Sequence, residues 1–138
     1  MSEKYKVIDS TQPTFITITV VDWVDVFIRV AYFRILNDSL NYCIENKGLK
    51  VHAYVYMTSH LHLIVSSDSV DLQDIIRDFK KFTSKRLIEA IKESPESRRV
   101  WFLRRFSFTA KRISRGVNYK FWKDGFHPVL LDSFKKIE

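Results

Sequence analysis

Two runs of strand-forming residues lie next to each other in the middle of the chain. Residues 49–57 (LKVHAYVYM) and 60–66 (HLHLIVS) are rich in β-branched and aromatic side chains, and only Thr58 and Ser59 separate them. This composition favours strands. A two-residue connection is long enough only for a tight turn, so the two strands have to be antiparallel neighbours. The chain is therefore expected to build an antiparallel sheet around this hairpin.

Periodicity predicts a strand and a helix before the hairpin. Residues 14–20 alternate polar with apolar side chains, which is typical of a strand. From about 27 to 46, apolar side chains recur every three or four positions, which predicts an amphipathic helix. We expect Asp25 to cap the start of this helix and Gly48 to end it.

A second helix and a final strand are predicted after the hairpin. Asp71 is expected to cap a helix that reaches about residue 92, while 94–120 has weak periodicity and favours a loop with a short helix. Residues 125–131 predict a last strand, at a sheet edge because Pro128 cannot donate to a ladder. The order strand, helix, strand, strand, helix, strand predicts an α+β fold, a ferredoxin-like antiparallel sheet with helices packed on one face.

Length and composition place this fold in one domain, residues 1–138. The chain has 138 residues, 46% of them hydrophobic, which is enough for a core in a single domain. Its single cysteine, Cys43, excludes an internal disulfide. The sequence contains no apolar run of membrane-spanning length and no signal peptide pattern, so we expect a cytoplasmic protein without a membrane partner.

The positive charge of the chain is concentrated in one segment. The net charge is +7, yet residues 77–123 hold 15 Lys and Arg against 4 acidic residues, a net of +11. Such a block favours a polyanionic partner, nucleic acid before membrane. The alternative is a solvated surface that only gives solubility.

Two histidines alternate with apolar residues on the predicted third strand. His60 and His62 are two residues apart, so their side chains project on the same side of the sheet. Two neutral imidazoles at this spacing can chelate one divalent ion, although His-x-His also occurs by chance on strand surfaces. A phosphodiester substrate would favour Mg²⁺ or Mn²⁺, while imidazole also suits zinc and nickel. His52 and His127 lie on neighbouring strands, and their faces depend on the register.

Three motifs follow one another along the chain. The first is the aromatic strand, turn and His-hydrophobe-His of residues 53–65 (AYVYMTSHLHLIV). The second is the helix segment 76–85 (IRDFKKFTSK), and the third is 121–127 (FWKDGFH), before the last strand. Together they resemble the single-tyrosine HUH transposases, which include insertion-sequence and REP-associated tyrosine transposases. The resemblance covers about residues 14–134.

The resemblance implies a ferredoxin-like fold and an enzyme that cleaves and rejoins single-stranded DNA in transposition. His60 and His62 take the place of metal ligands, for Mg²⁺ or Mn²⁺ with a third polar ligand. The family's tyrosine attacks the scissile phosphate and forms a 5′-phosphotyrosine, which releases a 3′-OH. The implied partners are a single-stranded DNA hairpin and a second copy of the chain in a homodimer.

The catalytic tyrosine is the point at which the sequence departs from the family. The family carries it on a helix after the last strand, which here would begin near Ser133, and no tyrosine follows Tyr119. The nucleophile is therefore expected beyond Glu138, on a catalytic helix that this chain lacks, unless Tyr119 substitutes. We expect Tyr119 instead to be a packed or DNA-contacting aromatic residue, and the chain alone to bind DNA without strand transfer.

The basic segment supplies candidate DNA contacts. Trp101, Phe102, Phe106 and Phe108 lie among the basic residues and are candidates for stacking on unpaired bases. Two other functions remain open: a non-catalytic single-stranded DNA or RNA hairpin-binding module, and a metal-binding or structural domain that leaves the basic segment unexplained. The candidate phosphate contacts are Lys80, Lys81, Lys85, Arg86, Arg98, Arg99, Arg104, Arg105, Lys111, Arg112 and Arg115.

Overall fold

The protein is described by a computed structural model that covers residues 7, 9–113 and 118–131. Arg115 and the helix expected from about Ser133 lie outside these residues. The elements are β1 (Thr14–Thr19), α1 (Val30–Lys47), β2 (Leu49–Tyr56), β3 (His60–Ser67), α2 (Leu72–Glu93), α3 (Arg99–Ile113) and β4 (Val129–Leu130), with a 3-10 turn at Val21–Trp23.

The four strands form one antiparallel sheet in the order β2-β3-β1-β4. The predicted hairpin joins β2 to β3, and β1 lies on the other side of β3. This is the ferredoxin-like order, so the predicted α+β fold is confirmed. The predicted edge position of the last strand is confirmed as well, because β4 borders only β1.

One face of the sheet forms the core and the other face carries the histidines. Ile16 and Ile18 of β1 are fully buried, as are Leu61, Leu63 and Val65 of β3. They pack with the apolar stripes of the helices, so the helices cover this face. The intervening residues of β1 and β3 are only half-buried and lie on the opposite face.

The start of α1 differs from the prediction, while its end agrees. The helix begins at Val30, and the residue before it, Arg29, makes no side-chain cap. Asp25 is not the cap, because its carboxylate instead accepts a hydrogen bond from Arg98 Nη1 at 2.8 Å. Gly48 ends the helix with φ +76°, a left-handed conformation that glycine adopts without steric cost.

Residues 94–120 contain a helix of 15 residues, α3, and not the predicted loop with a short helix. Phe102, Phe106 and Ala110 are fully buried at a spacing of four residues, so α3 has a regular apolar stripe. The sequence prediction failed because the exposed Trp101 and Phe108 interrupt the polar face and obscure this period.

The predicted strand 125–131 is mostly irregular. Only residues 129–130 form β4, although the chain before them still follows β1. The N–H of Thr17 donates to the carbonyl of Phe126, and Val20 pairs with Trp122 in an isolated bridge. Within the described part of the chain, no helix is both long and apolar enough to cross a membrane.

Buried Glu96 connects α1 to the start of α3. Its carboxylate accepts hydrogen bonds from Arg29 Nε at 2.8 Å, from the Tyr32 hydroxyl at 2.7 Å and from the backbone N–H of Arg98 at 2.9 Å. Burial raises the pKa of Glu96, but these three donors outweigh it and bring the pKa to about 2. The ionised carboxylate therefore holds α3 in place at neutral pH.

Candidate metal centre and nucleic-acid interface

His60 and His62 lie side by side on the open face of the sheet. The register places His62 opposite Thr17 and His60 opposite Thr19. The two ring centroids are 4.7 Å apart, and both side chains are half-buried. The predicted common orientation of the two imidazoles is confirmed, because alternate residues of a strand share a face.

Each imidazole has a hydroxyl group at its Nδ1 atom. Thr17 Oγ1 lies 3.1 Å from His62 Nδ1, and Ser59 Oγ lies 3.1 Å from His60 Nδ1. An Nδ1–H that donates to its hydroxyl leaves the Nε2 lone pair available to a cation, which is the usual arrangement of a metal-ligating histidine. The sequence analysis missed both hydroxyls. Ser59 is adjacent to His60 and could have been found, whereas Thr17 requires knowledge of the register.

Aromatic side chains border the histidine pair. The Phe15 ring stacks on His62 with centroids 5.3 Å apart, and the Trp23 ring meets His60 edge-on, also at 5.3 Å. Trp23 and Asp22 have φ of 56° and 54°, a left-handed conformation that is uncommon for residues other than glycine. This strained turn, which the sequence did not reveal, brings a 61% exposed indole to the edge of the site.

The histidine pair fits two ligand positions of a divalent cation. Burial and the neighbouring His60 lower the pKa of His62 below its usual value, which favours the neutral imidazole that a metal requires. Among the described residues no third His, Cys, Asp or Glu completes a three-residue cluster. His52 is an exposed residue of β2 whose Nε2 lies 2.8 Å from Ser66 Oγ, and His127 is exposed before β4.

The basic residues of α3 lie together on its outer surface. Trp101 and Phe108 are about half exposed among them, so they remain candidates for stacking on bases. Phe102 and Phe106 were also predicted to stack on bases, and this is wrong because both are fully buried in the core. The exposed basic residues of this surface are Arg104, Arg105, Lys111 and Arg112.

The other candidate phosphate contacts are separated from this surface. Lys80 Nζ donates to the backbone carbonyls of Lys123 and Gly125, each at 2.8 Å, and so fixes the chain before β4. Arg86 lies over the Phe82 ring on α2. Lys81 and Lys85 are exposed on α2. Arg98 bonds to Asp25, and Arg99 to backbone carbonyls at the end of α2.

Four of the five described tyrosines have side chains engaged in other interactions, and the fifth, Tyr42, is 59% exposed on α1. The Lys92 ammonium lies 4.8 Å from the centre of the Tyr119 ring, which packs against the core. Tyr32 donates to Glu96, and Tyr56 donates to Asn37. Tyr54 lies against Tyr56. A role of Tyr119 as nucleophile stays a prediction.

Solved structures of transposases share this fold. The structure of a REP-associated tyrosine transposase bound to a REP hairpin matches with a TM-score of 0.66 at 14% identity. The match covers 99% of this chain, which spans 66% of that protein's length. The crystal structure of a candidate transposase from Deinococcus radiodurans R1 matches with a TM-score of 0.57 at 11% identity, over 99% of this chain and 89% of that one. No curated protein matches.

A sequence profile identifies the family. The profile described as "Transposase IS200 like" matches residues 29–115, well over half of the chain. The matched range begins just before α1 and ends just after α3, so it includes the hairpin that carries both histidines. The chain therefore belongs to the family of IS200-like transposases.

Proposed function

We propose that this chain is the DNA-binding and cation-binding domain of an HUH-type tyrosine transposase. In this proposal it binds a single-stranded DNA hairpin and holds the phosphodiester that is cleaved and rejoined during transposition. The observation that carries the proposal is the histidine pair on the open sheet face, in which each Nδ1 meets a hydroxyl group. Membership of the IS200-like family supports it independently.

His60 and His62 would hold the divalent cation, Mg²⁺ or Mn²⁺, through their Nε2 atoms. When bound, the cation would polarise a phosphoryl oxygen and stabilise the negative charge that develops on it. Thr17 and Ser59 keep the imidazoles in one tautomer by accepting the Nδ1 protons. Phe15 and Trp23 restrict the rotation of the rings from either side.

A DNA hairpin is the proposed partner. The REP-associated transposase of similar fold was solved with a REP hairpin. In this chain the exposed basic face of α3 offers phosphate contacts, and two exposed aromatic residues there offer stacking to unpaired bases. The basic face would bind phosphates of any DNA, whereas the exposed aromatic residues favour a ligand with unpaired nucleotides over a plain duplex.

The nucleophile is proposed to be a tyrosine other than those described. Tyr32, Tyr54, Tyr56 and Tyr119 make contacts of their own, none of which is with His60 or His62. We therefore expect this 138-residue chain to bind the hairpin and the cation without forming a covalent bond to DNA. A covalent protein–DNA band after incubation with a cognate hairpin and Mn²⁺ would overturn this part of the proposal.

Affinity for paired and unpaired DNA tests the binding function. A hairpin with single-stranded tails is compared with a blunt duplex of equal length by electrophoretic mobility shift. We expect tighter binding of the tailed hairpin, because only its unpaired bases can stack on exposed aromatic side chains. Equal affinity for the two probes would contradict a function in single-strand processing.

The second candidate function is a non-catalytic hairpin-binding module derived from a transposase. It is favoured by one observation, that no further described His, Cys, Asp or Glu joins the histidine pair in a three-residue metal cluster. A module of this kind has no need of a cation at His60 and His62. Cation-dependent nicking of hairpin DNA that is abolished by His60→Ala would therefore exclude it.

We also propose that the protein acts as a homodimer. The sheet ends in β2, an eight-residue edge strand whose central residues are exposed. Unpaired backbone groups along an exposed edge can pair with another chain. Light scattering coupled to gel filtration should give twice the mass of the chain, and a monomer at micromolar concentration would contradict the proposal.

A further inference from the structure

The outer surface of α3 contains a shallow depression that the histidine site does not use. Its volume is about 240 Å³, and its walls are Trp101, Arg104, Arg105 and Phe108. Arg104 and Arg105 lie three and four positions after Trp101, and Phe108 lies four and three positions after them, so the four residues form one stripe of the helix. The buried stripe of Phe102 and Phe106 anchors the opposite side of α3 in the core.

The walls of this depression have the chemistry that recognises an unpaired nucleotide. Trp101 is 48% exposed and Phe108 is 52% exposed, so both aromatic rings offer surface to a ligand. Arg105 lies 5.8 Å from the centre of the Trp101 ring, and Arg112 lies 5.7 Å from that of Phe108. Aromatic faces beside guanidinium groups bind bases by stacking and phosphates by charge.

A chain of contacts connects the depression to the histidine pair. Arg105 Nε lies 3.9 Å from a carboxylate oxygen of Asp22, whose neighbour Trp23 contacts His60. Asp22 partly neutralises the charge of Arg105. The basic side chains of α3 that can contact phosphates without an acidic neighbour are therefore Arg104, Lys111 and Arg112. Asp22 and Trp23 both have a positive φ, so a left-handed turn carries this connection at the edge of the site.

We propose that the depression on α3 is a binding site for an unpaired nucleotide of the DNA strand whose phosphate lies at the histidine pair. The strand would run from His60 past Trp23 to Trp101 and Phe108, with bases stacked on the exposed rings. This inference rests on the proposed function and adds the path of the single strand along α3.

A matched pair of substitutions tests the site. Phe108 and Phe82 are both 52% exposed, and each has an arginine 5.7 Å from its ring centre, but Phe82 lies on α2 in the groove beside α1. Binding of a short fluorescent oligothymidine is measured by anisotropy without added metal. We expect Phe108→Ala and Trp101→Ala each to weaken binding by about 5- to 150-fold. Phe82→Ala should bind as the unsubstituted protein does.

An abasic strand of the same length separates stacking from charge. Phe108→Ala should leave the affinity for this base-free probe unchanged, because only the phosphates remain to be bound. If Phe108→Ala and Phe82→Ala lose oligothymidine affinity equally, or if neither loses any, the proposed nucleotide site on α3 would be overturned. That result would leave the proposed function intact if the tailed hairpin is still preferred over the duplex. Unchanged melting temperatures would confirm that both variants fold.

Discussion

At the residue scale, the site depends on two hydroxyl groups as much as on two imidazoles. A histidine binds a cation well only when its other ring nitrogen is held in the protonated form. Thr17 on the neighbouring strand and Ser59 in the turn before β3 each place a hydroxyl 3.1 Å from an Nδ1 atom. A hydroxyl at this position can accept the Nδ1 proton, which leaves Nε2 available to a ligand.

Substitution of Thr17 by valine tests this arrangement. Thr17→Val keeps the shape of the side chain but removes the hydroxyl, so we expect the affinity for Mn²⁺ to fall by about 10- to 100-fold. Thr19→Val is the matched control, since Thr19 lies on the same face of β1, opposite His60. The affinity is measured by isothermal titration calorimetry. Equal affinities of the two variants would show that the hydroxyl of Thr17 does not position His62.

At the element scale, α3 carries the exposed basic and aromatic side chains of the candidate nucleic-acid interface on its outer surface. Its buried stripe packs into the core, and Glu96 ties its first residues to α1. Two of the family-like motifs also meet here, because the Trp122 indole N–H donates to Thr83 Oγ1 at 2.9 Å. Lys80 and Trp122 therefore fix the segment before β4 against α2, so Lys80, which the sequence suggested as a phosphate contact, has a structural role.

Substitution of Glu96 tests how much this anchor contributes. Glu96→Gln removes the charge and leaves Arg29 without an ionised partner, so we expect a loss of about 2 kcal/mol in the free energy of unfolding at neutral pH. The folded pKa of about 2 lies below the ordinary value of 4.5, so the carboxylate stabilises the fold above pH 4.5. This contribution is lost as the pH falls towards 2.

Urea denaturation at several pH values measures the effect. The difference in the free energy of unfolding between the unsubstituted protein and Glu96→Gln should be largest near neutral pH and should shrink below about pH 4. A difference that stays constant down to pH 3 would mean that the charge of Glu96 contributes nothing.

The sequence predicted the elements whose signal is local. The hairpin, the face of His60 and His62, the end of α1 at Gly48 and the helix after Asp71 all follow from spacing within a few residues. The residues that it missed depend on contacts across the chain. Thr17 acts through strand register, and Asp25 is bound to an arginine far along the sequence instead of capping α1. Trp23 reaches His60 through a strained turn that no local pattern indicates.

At the scale of the whole molecule, charge and topology divide the surface into distinct regions. The helices cover one face of the sheet, and the histidines lie on the other. Several basic residues of the +11 segment are bound within the protein, as Lys80, Arg98 and Arg99 are. Among the described residues of this segment, the exposed basic side chains without an ion pair to a carboxylate are Lys81, Lys85, Arg86, Lys92, Arg104, Lys111, Arg112 and Lys123.

The salt dependence of DNA binding measures how many of these residues contact phosphates. If about five contacts form, the logarithm of the affinity for single-stranded DNA should fall against the logarithm of salt concentration with a slope of about −3.5. Between about 50 and 200 mM salt this corresponds to a loss of about a hundredfold. An affinity that stays flat over this range would contradict a basic surface that binds phosphates.

The central claim is that His60 and His62 together hold one divalent cation on the open face of the sheet. Titration of Mn²⁺ into the protein, followed by electron paramagnetic resonance, tests it most directly. We expect one bound ion, lost in both His60→Ala and His62→Ala but retained in His52→Ala, whose imidazole is bound to Ser66 on the neighbouring strand. Mn²⁺ binding that survives both of the first two substitutions, or that His52→Ala abolishes equally, would contradict a cation site formed by His60 and His62.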